Sequence, residues 1–261
     1  MSVSRQSGKR LKPKGNIMIE LDKIYNQDCL EGMRQIPDGS IDAVICDLPY
    51  GTTANKWDSV IPLDVLWREY HRITKPTSPI VLFSQQPFTS ALVMSNLKEY
   101  RYEWIWEKEM GTGFLNAKNA PMKNHENVVV FSRNRATYNP IMRQGEPYKC
   151  KQGGVSSNYD NKDKDIVTVN NGERYPLTII HFDRDADAFH PTQKPVDLLR
   201  YLVLTYTNEG DTVLDNCMGS GTTAIACIKE KRHFIGFELS KEYFDKAQRR
   251  IKAEQAQLTL W

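Results

Sequence analysis

The alternation of short apolar runs with amphipathic segments is the feature that most constrains how this chain folds. Leu63–Ile73 and Pro195–Tyr206 place apolar side chains at helical spacing, and the second segment begins with a proline suited to a first helical turn. Five short apolar runs have the character of buried strands: Ile41–Cys46, Pro79–Phe83, Asn127–Phe131, Thr212–Leu214 and His233–Phe237. Strands alternating with helices predict an α/β fold with a mostly parallel central sheet and helices on both faces.

Two regions depart from this alternation. Tyr102–Lys108 and Asn127–Ser132 have no obvious helix between them, which predicts an antiparallel pair near one edge of the sheet. The stretch from Gly145 to Ala188 is rich in Gly, Ser, Asn and charged residues and shows little periodicity. Long irregular stretches in compact domains are usually functional. We therefore predict an inserted recognition segment at about 133–188, the alternative being a surface loop without a role.

Composition places the chain among ordinary globular proteins. Its 261 residues are 40% hydrophobic and 26% charged, which excludes a disordered chain and suits one large domain. No apolar run approaches the roughly 20 residues that span a bilayer, and the N-terminus lacks the apolar stretch of a secretory signal. An odd set of cysteines without a C-x-x-C pair favours neither disulfides nor zinc: Cys29, Cys46, Cys150, Cys217 and Cys227. These features predict a cytoplasmic protein that does not associate with membranes.

Basic residues are concentrated in two stretches although the net charge is only +3. Residues 1–19 hold five Lys or Arg and no acid, and Lys118–Lys151 holds seven basic residues against two acidic ones. Such stretches pair with phosphates, but a solvated basic surface has the same composition. We interpret 1–19 as a basic arm attached to a domain at 20–261.

A strand end followed by glycines indicates a nucleoside site. Asp215 ends one strand, Gly219 and Gly221 lead into an Ala-rich helix, and Glu238 ends the next strand, where an acid can bind ribose hydroxyls. A tight turn would need these glycines anyway. Because the third glycine of the dinucleotide fingerprint is missing, a mononucleoside ligand is favoured over NAD, and an NAD-dependent oxidoreductase is disfavoured.

Two further motifs surround this one. Asp47-Leu48-Pro49-Tyr50-Gly51 follows the strand Ile41–Cys46 and offers a carboxylate and an aromatic ring to a planar amine, although Pro-Tyr-Gly also suits a plain turn. His190-Pro191-Thr192-Gln193-Lys194-Pro195 is a stiff loop before a helix. Together the motifs resemble the S-adenosylmethionine-dependent DNA amino-methyltransferases, and their order is similar to the circularly permuted beta group. The similarity covers most of the chain, from about Ile24 to Ile251.

The resemblance implies a single Rossmann-like methyltransferase domain and a role for each matching residue. Asp47 and the Leu48 carbonyl would hold the exocyclic amine of a flipped base, with Pro49 shaping the turn and Tyr50 stacking on the base; no metal is required. The implied S-adenosylmethionine contacts come from seven residues: Asp28, Thr192, Lys194, Asp215, Gly219, Gly221 and Glu238. Phe83-Ser84 and Asn124-His125-Glu126 match weaker family positions near the base, with a solvated strand lead-in as the alternative for His125 and Glu126.

The resemblance also implies a substrate and partners. The family pattern is usually Asp-Pro-Pro-Tyr, and Leu48 stands at its second position here; the contact is through a carbonyl, so activity should survive. Asp47 at the first position leans toward adenine N6 in double-stranded DNA. Cytosine N4, an RNA substrate and a catalytically silent cofactor-binding subunit remain alternatives. Members of the permuted group often form homodimers, and no code links the loop sequence to a recognition site.

Overall fold

The computed structural model describes residues 19–51, 59–151, 167–186 and 193–258. Twelve strands lie in these ranges: β1 Lys23–Tyr25, β2 Ala43–Asp47, β3 Ile80–Ser84, β4 Tyr100–Thr112, β5 Lys123–Phe131, β6 Arg143–Gln144, β7 Tyr148–Lys151, β8 Val167–Asn170, β9 Glu173–Arg174, β10 Ile179–His181, β11 Thr212–Asp215 and β12 His233–Phe237. The helices are α1 Cys29–Met33, α2 Leu63–Ile73, α3 Phe88–Ser95, α4 Val196–Tyr206, α5 Thr222–Lys229 and α6 Lys241–Leu258. No helix in the described ranges is long and apolar enough to cross a bilayer.

Eight strands form one sheet in the order β1-β12-β11-β2-β3-β5-β4-β10. Every neighbouring pair is parallel except those that involve β5, which runs opposite to both β3 and β4. The carboxyl ends of the parallel strands therefore meet at one edge of the sheet, where α/β proteins hold ligands. The start of β5 reaches the same edge because that strand is reversed.

Alternate residues of each buried strand supply two hydrophobic layers, one on each face of the sheet. Ile45 packs with Leu202 and the helices α4, α5 and α6, whereas its neighbours Val44 and Cys46 pack with α1, α2 and α3. Strands buried on both faces are apolar at nearly every position, which explains the continuous apolar runs in the sequence. The expected α/β architecture with helices on both faces is confirmed.

The expected elements agree closely with the structure where the sequence pattern is strong. The helix at Leu63–Ile73 and the strand at His233–Phe237 have the predicted bounds, and Pro195 is the N-cap of α4 rather than its first residue. The antiparallel pair is confirmed, with Trp104 opposite Val128. However, β4 is not the sheet edge, because β10 pairs with its outer side.

The described residues in and just before 145–188 contain more structure than their composition predicts. Two short antiparallel pairs, β6 with β9 and β7 with β8, form small ribbons, and β10 joins the main sheet. Gly172, with φ +102°, turns the chain between β8 and β9 and donates to the Asn170 side chain. These strands carry no periodic signal in the sequence because they are only two to four residues long and mostly exposed.

Candidate active site

One cavity of about 560 Å³ lies at the carboxyl edge of the sheet and joins the predicted motifs. Asp47 at the end of β2, Asp215 at the end of β11 and Glu238 after β12 all line it. Its volume falls in the range of small-molecule and cofactor sites. Motifs that lie far apart in the sequence therefore form one site, with a half around β11 and β12 and a half around β2.

Glu238 is held in place by backbone donors in the β11–β12 half. Its Oε2 accepts from the Gly219 amide at 2.8 Å, and its Oε1 accepts from the Ser240 amide at 2.7 Å. Burial raises the pKa of Glu238, against the lowering effect of these amides. A carboxylate has about four lone-pair sites, more than these backbone amides use, so Glu238 can also accept from a hydroxyl group of a ligand.

Asp215 organises the glycine loop. One oxygen accepts from the Cys217 amide at 3.0 Å and the other from the Thr223 hydroxyl at 2.6 Å, and burial raises the pKa of Asp215 to about 6. Gly221, with φ +81°, starts α5 and packs so closely on α6 that an added Cβ would lie 3.3 Å from the Cβ of Ala247. Gly221 thus shapes the turn, whereas Gly219 lines the cavity.

The segment after β1 closes this half of the cavity. Asp28 caps α1 by accepting from the amides of Leu30 and Glu31, and it lines the cavity together with Gln27. The Nε2 of Gln27 is buried and has no hydrogen-bond acceptor among the described residues. A buried donor of this kind usually has a partner, and Gln27 adds an amide side chain to the wall of this half of the cavity. Sequence reasoning included Asp28 but missed Gln27.

Asp47 is the centre of the β2 half. Its Oδ1 accepts from the Tyr50 hydroxyl at 2.5 Å, and its Oδ2 accepts from the Lys194 ammonium at 2.6 Å. Leu48 is buried, Pro49 lines the cavity, and the Tyr50 ring packs against Phe88 with centroids 5.4 Å apart. The Asp47 side chain is 24% exposed. Its carboxylate is therefore accessible from the cavity while hydrogen bonds to both oxygens fix its orientation.

Four buried or partly buried charges form a network behind Asp47. Lys194 Nζ lies 3.1 Å from Glu126 Oε2 as well as 2.6 Å from Asp47. Glu126 also pairs with Lys108, and the Glu126, Lys108 and Lys194 side chains are each at most 8% exposed. The two lysines stand over aromatic rings, Lys194 over Phe83 and Lys108 over Trp106. Two carboxylates and two ammonium groups balance in charge, which burial requires.

The network distributes protons unequally. Burial raises the pKa of Asp47, and the Glu126 charge adds to this effect against the opposing Lys194 ammonium and Tyr50 hydroxyl. Burial acts on Glu126 too, but the ammonium groups of Lys194 and Lys108 outweigh it and lower its pKa to about 2. The pKa of Lys194 is raised because the two carboxylates outweigh its burial. These shifts favour the anionic form of Glu126 and the cationic form of Lys194 near neutral pH, with Lys194 shared between Glu126 and Asp47.

The structure brings together most of the residues singled out in the sequence. Ten of the predicted site residues lie in the described ranges: Asp28, Asp47, Leu48, Pro49, Tyr50, Lys194, Asp215, Gly219, Gly221 and Glu238. All of them except Gly221 line the cavity. Lys194 bonds to Asp47, and so lies in the β2 half. The prediction for Thr192 falls outside the described residues, as does His190.

The alternative interpretation of His125 and Glu126 as solvent-exposed side chains agrees with the structure for His125 and is wrong for Glu126. His125 is exposed, whereas Glu126 is 6% exposed because Lys108 and Lys194 pair with it. Lys108 was missed. The available signal was the two-residue alternation of β4, which buries Trp104, Trp106 and Lys108 in succession.

Three cysteines that are scattered in the sequence meet beside the cavity. The thiol of Cys217 contacts those of Cys29 and Cys46. Burial raises the pKa of Cys46 to about 12, and the Cys217 contact together with burial raises the pKa of Cys29. Because the thiolate is the reactive form, a raised pKa favours the protonated thiol, and Cys29 and Cys217 lie in the cavity wall in this form.

Arg133, in the basic stretch at 118–151, stabilises the C-terminal end of α2. Arg133 donates to the carbonyl oxygens of His71 at 3.0 Å, Thr74 at 2.5 Å and Lys75 at 3.0 Å, where α2 ends. The last carbonyls of a helix need such donors. Arg133 is therefore committed to the fold, and phosphate binding by the other basic residues of this stretch stays a prediction.

Comparison with known proteins gives a consistent result. The chain matches the N6/N4 methyltransferase family model, described as DNA methylase, over residues 41–249. It is 27% identical to the type II methyltransferase M.BglII of Bacillus subtilis, covering 90% of this chain and 70% of that protein. Two solved structures share the fold. The M1.HpyAVI–SAM complex has a TM-score of 0.61 and 24% identity, covering 87% of this chain and 98% of that one. The PvuII cytosine-N4-specific DNA methyltransferase has a TM-score of 0.62 and 15% identity, covering 88% and 90%.

The family match covers most of the chain and includes the β2 motif, the glycine loop and Glu238. The DNA amino-methyltransferase family expected from the motifs is therefore confirmed: this chain belongs to the N6/N4 family of DNA methylases.

Proposed function

We propose that the chain transfers a methyl group to the exocyclic N6 amine of an adenine extruded from double-stranded DNA. The observation that carries the proposal is the placement of Asp47. Its carboxylate is oriented by Tyr50 and Lys194 and lies in the same cavity as Glu238 and the glycine loop. An amine acceptor and a nucleoside site therefore share one enclosed space, as a direct transfer requires.

S-adenosylmethionine is the cofactor of this family, and it supplies an electrophilic methyl group when bound. The residues of the β11–β12 half fit it. Glu238 has free lone pairs for ribose hydroxyls, and Gln27 offers a buried donor without an acceptor. Gly219, with φ +52°, lets the backbone line the cavity closely. Asp28 and Asp215 complete the proposed cofactor contacts.

Asp47 acts on the amine by accepting a hydrogen bond from one of its N–H groups. An aromatic amine is a poor nucleophile because its lone pair is delocalised into the ring. An acceptor that is fixed beforehand favours the pyramidal amine and stabilises the positive charge that develops on it, with the Leu48 carbonyl as the second acceptor. Lys194 stays on Oδ2 because Glu126 holds it from behind, so the incoming amine replaces the Tyr50 hydroxyl at Oδ1. The Tyr50 ring is then free to stack on the base.

The choice of adenine over cytosine rests on the Asp47 side chain. An Asp at the first motif position is more typical of adenine methylation in this family, whereas the cavity lining does not distinguish the two bases. The test is methylation of unmethylated DNA with labelled S-adenosylmethionine, followed by digestion and mass spectrometry of the nucleosides. N6-methyladenine is expected; N4-methylcytosine would retain the mechanism and overturn the base.

The Glu238→Ala variant is expected to lose affinity for S-adenosylmethionine by roughly tenfold or more, because the ribose hydroxyls lose a charged acceptor. Isothermal titration calorimetry with the cofactor measures this. Glu242→Ala is the matched control, because Glu242 is an exposed acid on α6 that pairs with Lys246, and this variant should bind the cofactor as the wild type does. An unchanged affinity in Glu238→Ala would contradict the ribose assignment.

Other features of the proposal extend beyond the catalytic half. The chain resembles type II methyltransferases, and we infer that it belongs to a restriction-modification system. We also propose a recognition segment at about 133–188, a basic arm at 1–19 and a homodimer. The permuted beta arrangement and a cytoplasmic location stay predictions. A silent subunit is disfavoured because Asp47 and the glycine loop are both intact. An RNA substrate stays an alternative, and the mass-spectrometric assay on DNA distinguishes it from the proposed function.

A further inference from the structure

The hairpin that joins β4 to β5 displays large apolar side chains to solvent beside the active-site cavity. Phe114 is 77% exposed and Leu115 is fully exposed at 101%, and the neighbouring Met110 and Met122 are exposed as well. Four exposed apolar side chains close together in sequence indicate a binding surface rather than scattered surface residues. We call residues 113–122 the hairpin tip.

The hairpin tip is an ordered turn. Gly113, with φ +90°, begins a short 3-10 helix at Phe114–Asn116, and the Asn116 amide donates to the Gly113 carbonyl at 2.9 Å. Further along, the Asn119 amide donates to the Asn116 carbonyl at 2.9 Å. These hydrogen bonds fix the backbone while Phe114 and Leu115 are exposed to solvent, so an ordered loop presents the apolar surface.

The hairpin tip stands at the rim of the cavity that holds Asp47. Thr112, the last residue of β4, lines the cavity, as do Trp106 and Lys108 on the same strand. On the other side of the hairpin, Lys123 Nζ lies 3.5 Å from Gln85 Oε1, and Gln85 also lines the cavity. A base that enters the cavity therefore leaves its stack next to this hairpin.

The charge around the hairpin tip favours a nucleic acid over another protein surface. No Asp or Glu occurs from Met110 to His125, whereas Lys118 and Lys123 are exposed. Asn116 and Asn119 add amide groups that can bond base edges. An acid-free loop with lysines suits the polyanionic DNA backbone.

We propose that the hairpin tip enters the DNA duplex at the target site, with Phe114 and Leu115 occupying the gap that the extruded base leaves. This inference rests on the proposed function, because it presumes base extrusion. Unstacking and unpairing a base costs a few kcal/mol. An apolar wedge that packs on the neighbouring base pairs offsets part of that cost, as in other proteins that insert apolar side chains between base steps.

The test compares two DNA duplexes that differ in how firmly the target base is paired. The methylated base is first located by sequencing amplified, unmethylated DNA after treatment with the wild-type enzyme. Short duplexes then carry that base either paired normally or opposite an abasic position. The combined Phe114→Ala and Leu115→Ala variant should lose about tenfold or more in kcat/KM on the paired duplex. Its loss should be much smaller on the abasic duplex, where no base pair has to be broken before extrusion.

Leu97→Ala is the matched control, because Leu97 is 60% exposed and precedes the opposite end of β4. Its activity should equal that of the wild type on both duplexes. Equal losses of the double variant on the two duplexes, or no loss on either, would overturn the wedge. If sedimentation shows that the wild type is a dimer and the double variant is a monomer, the hairpin tip contacts a second copy of this chain and the wedge is overturned. If the wild type methylates no DNA at all, the proposed function fails, and the wedge fails with it.

Discussion

The Asp47→Asn variant is expected to lower the rate of methyl transfer by about 10²–10³-fold or more, while its affinity for S-adenosylmethionine changes little. Asparagine keeps the shape of the side chain but replaces a charged acceptor by a neutral amide. Removing one fixed group that stabilises developing charge typically has an effect of this size. The proposed ribose contact should be unaffected, because Glu238 accepts hydrogen bonds from the amides of Gly219 and Ser240 and is not bonded to Asp47.

Single-turnover methylation of DNA gives the rate, and calorimetry gives the cofactor affinity. Asp42→Asn is the control, because Asp42 precedes the opposite end of β2, where it pairs with Lys75. That variant should methylate DNA at the wild-type rate. Turnover of Asp47→Asn close to that of the wild type would remove Asp47 from the catalytic role and leave the proposed mechanism without its acceptor.

The sequence was most informative where a side chain ends a strand. Asp47, Asp215 and Glu238 follow apolar runs, and parallel strands bring such ends to one edge of a sheet. Their common cavity was therefore predictable before any coordinates. The flanking helices were equally clear, because α2 and α4 repeat apolar residues at helical spacing.

The charge network was not predictable in the same way. Glu126 on β5, Lys108 on β4 and Lys194 before α4 come from three separate segments. The alternation of β4 indicates a buried position for Lys108, but its partners do not follow from that pattern. They follow from the pairing of β4 with β5 and from the path of the chain before α4, which no local pattern encodes. The small ribbons at β6–β9 were missed for a related reason, since short exposed strands carry no periodicity.

Lys194→Met and Glu126→Gln are expected to move the pH dependence of methylation in opposite directions. Asp47 must be ionised to accept the amine, so activity falls as the pH drops through its pKa. Loss of the Lys194 charge raises the pKa of Asp47 further and shifts the acid limb of kcat/KM for DNA to higher pH, by about one to three units. Loss of the Glu126 charge lowers the pKa of Asp47 and shifts the limb to lower pH.

The two shifts distinguish electrostatic positioning from simple structural damage, which would lower activity without moving the limb. S-adenosylmethionine must be saturating at every pH, because Asp215 in the cofactor half titrates near 6. Glu126→Gln alone leaves Lys108 buried and unpaired, a change that destabilises proteins by about 3–5 kcal/mol. The combined Lys108→Met and Glu126→Gln variant removes one charge of each sign, should retain more stability, and should still shift the limb to lower pH. If both single variants move the limb in the same direction, Asp47 is not the titrating group, and the Lys194–Glu126 pair does not control its charge.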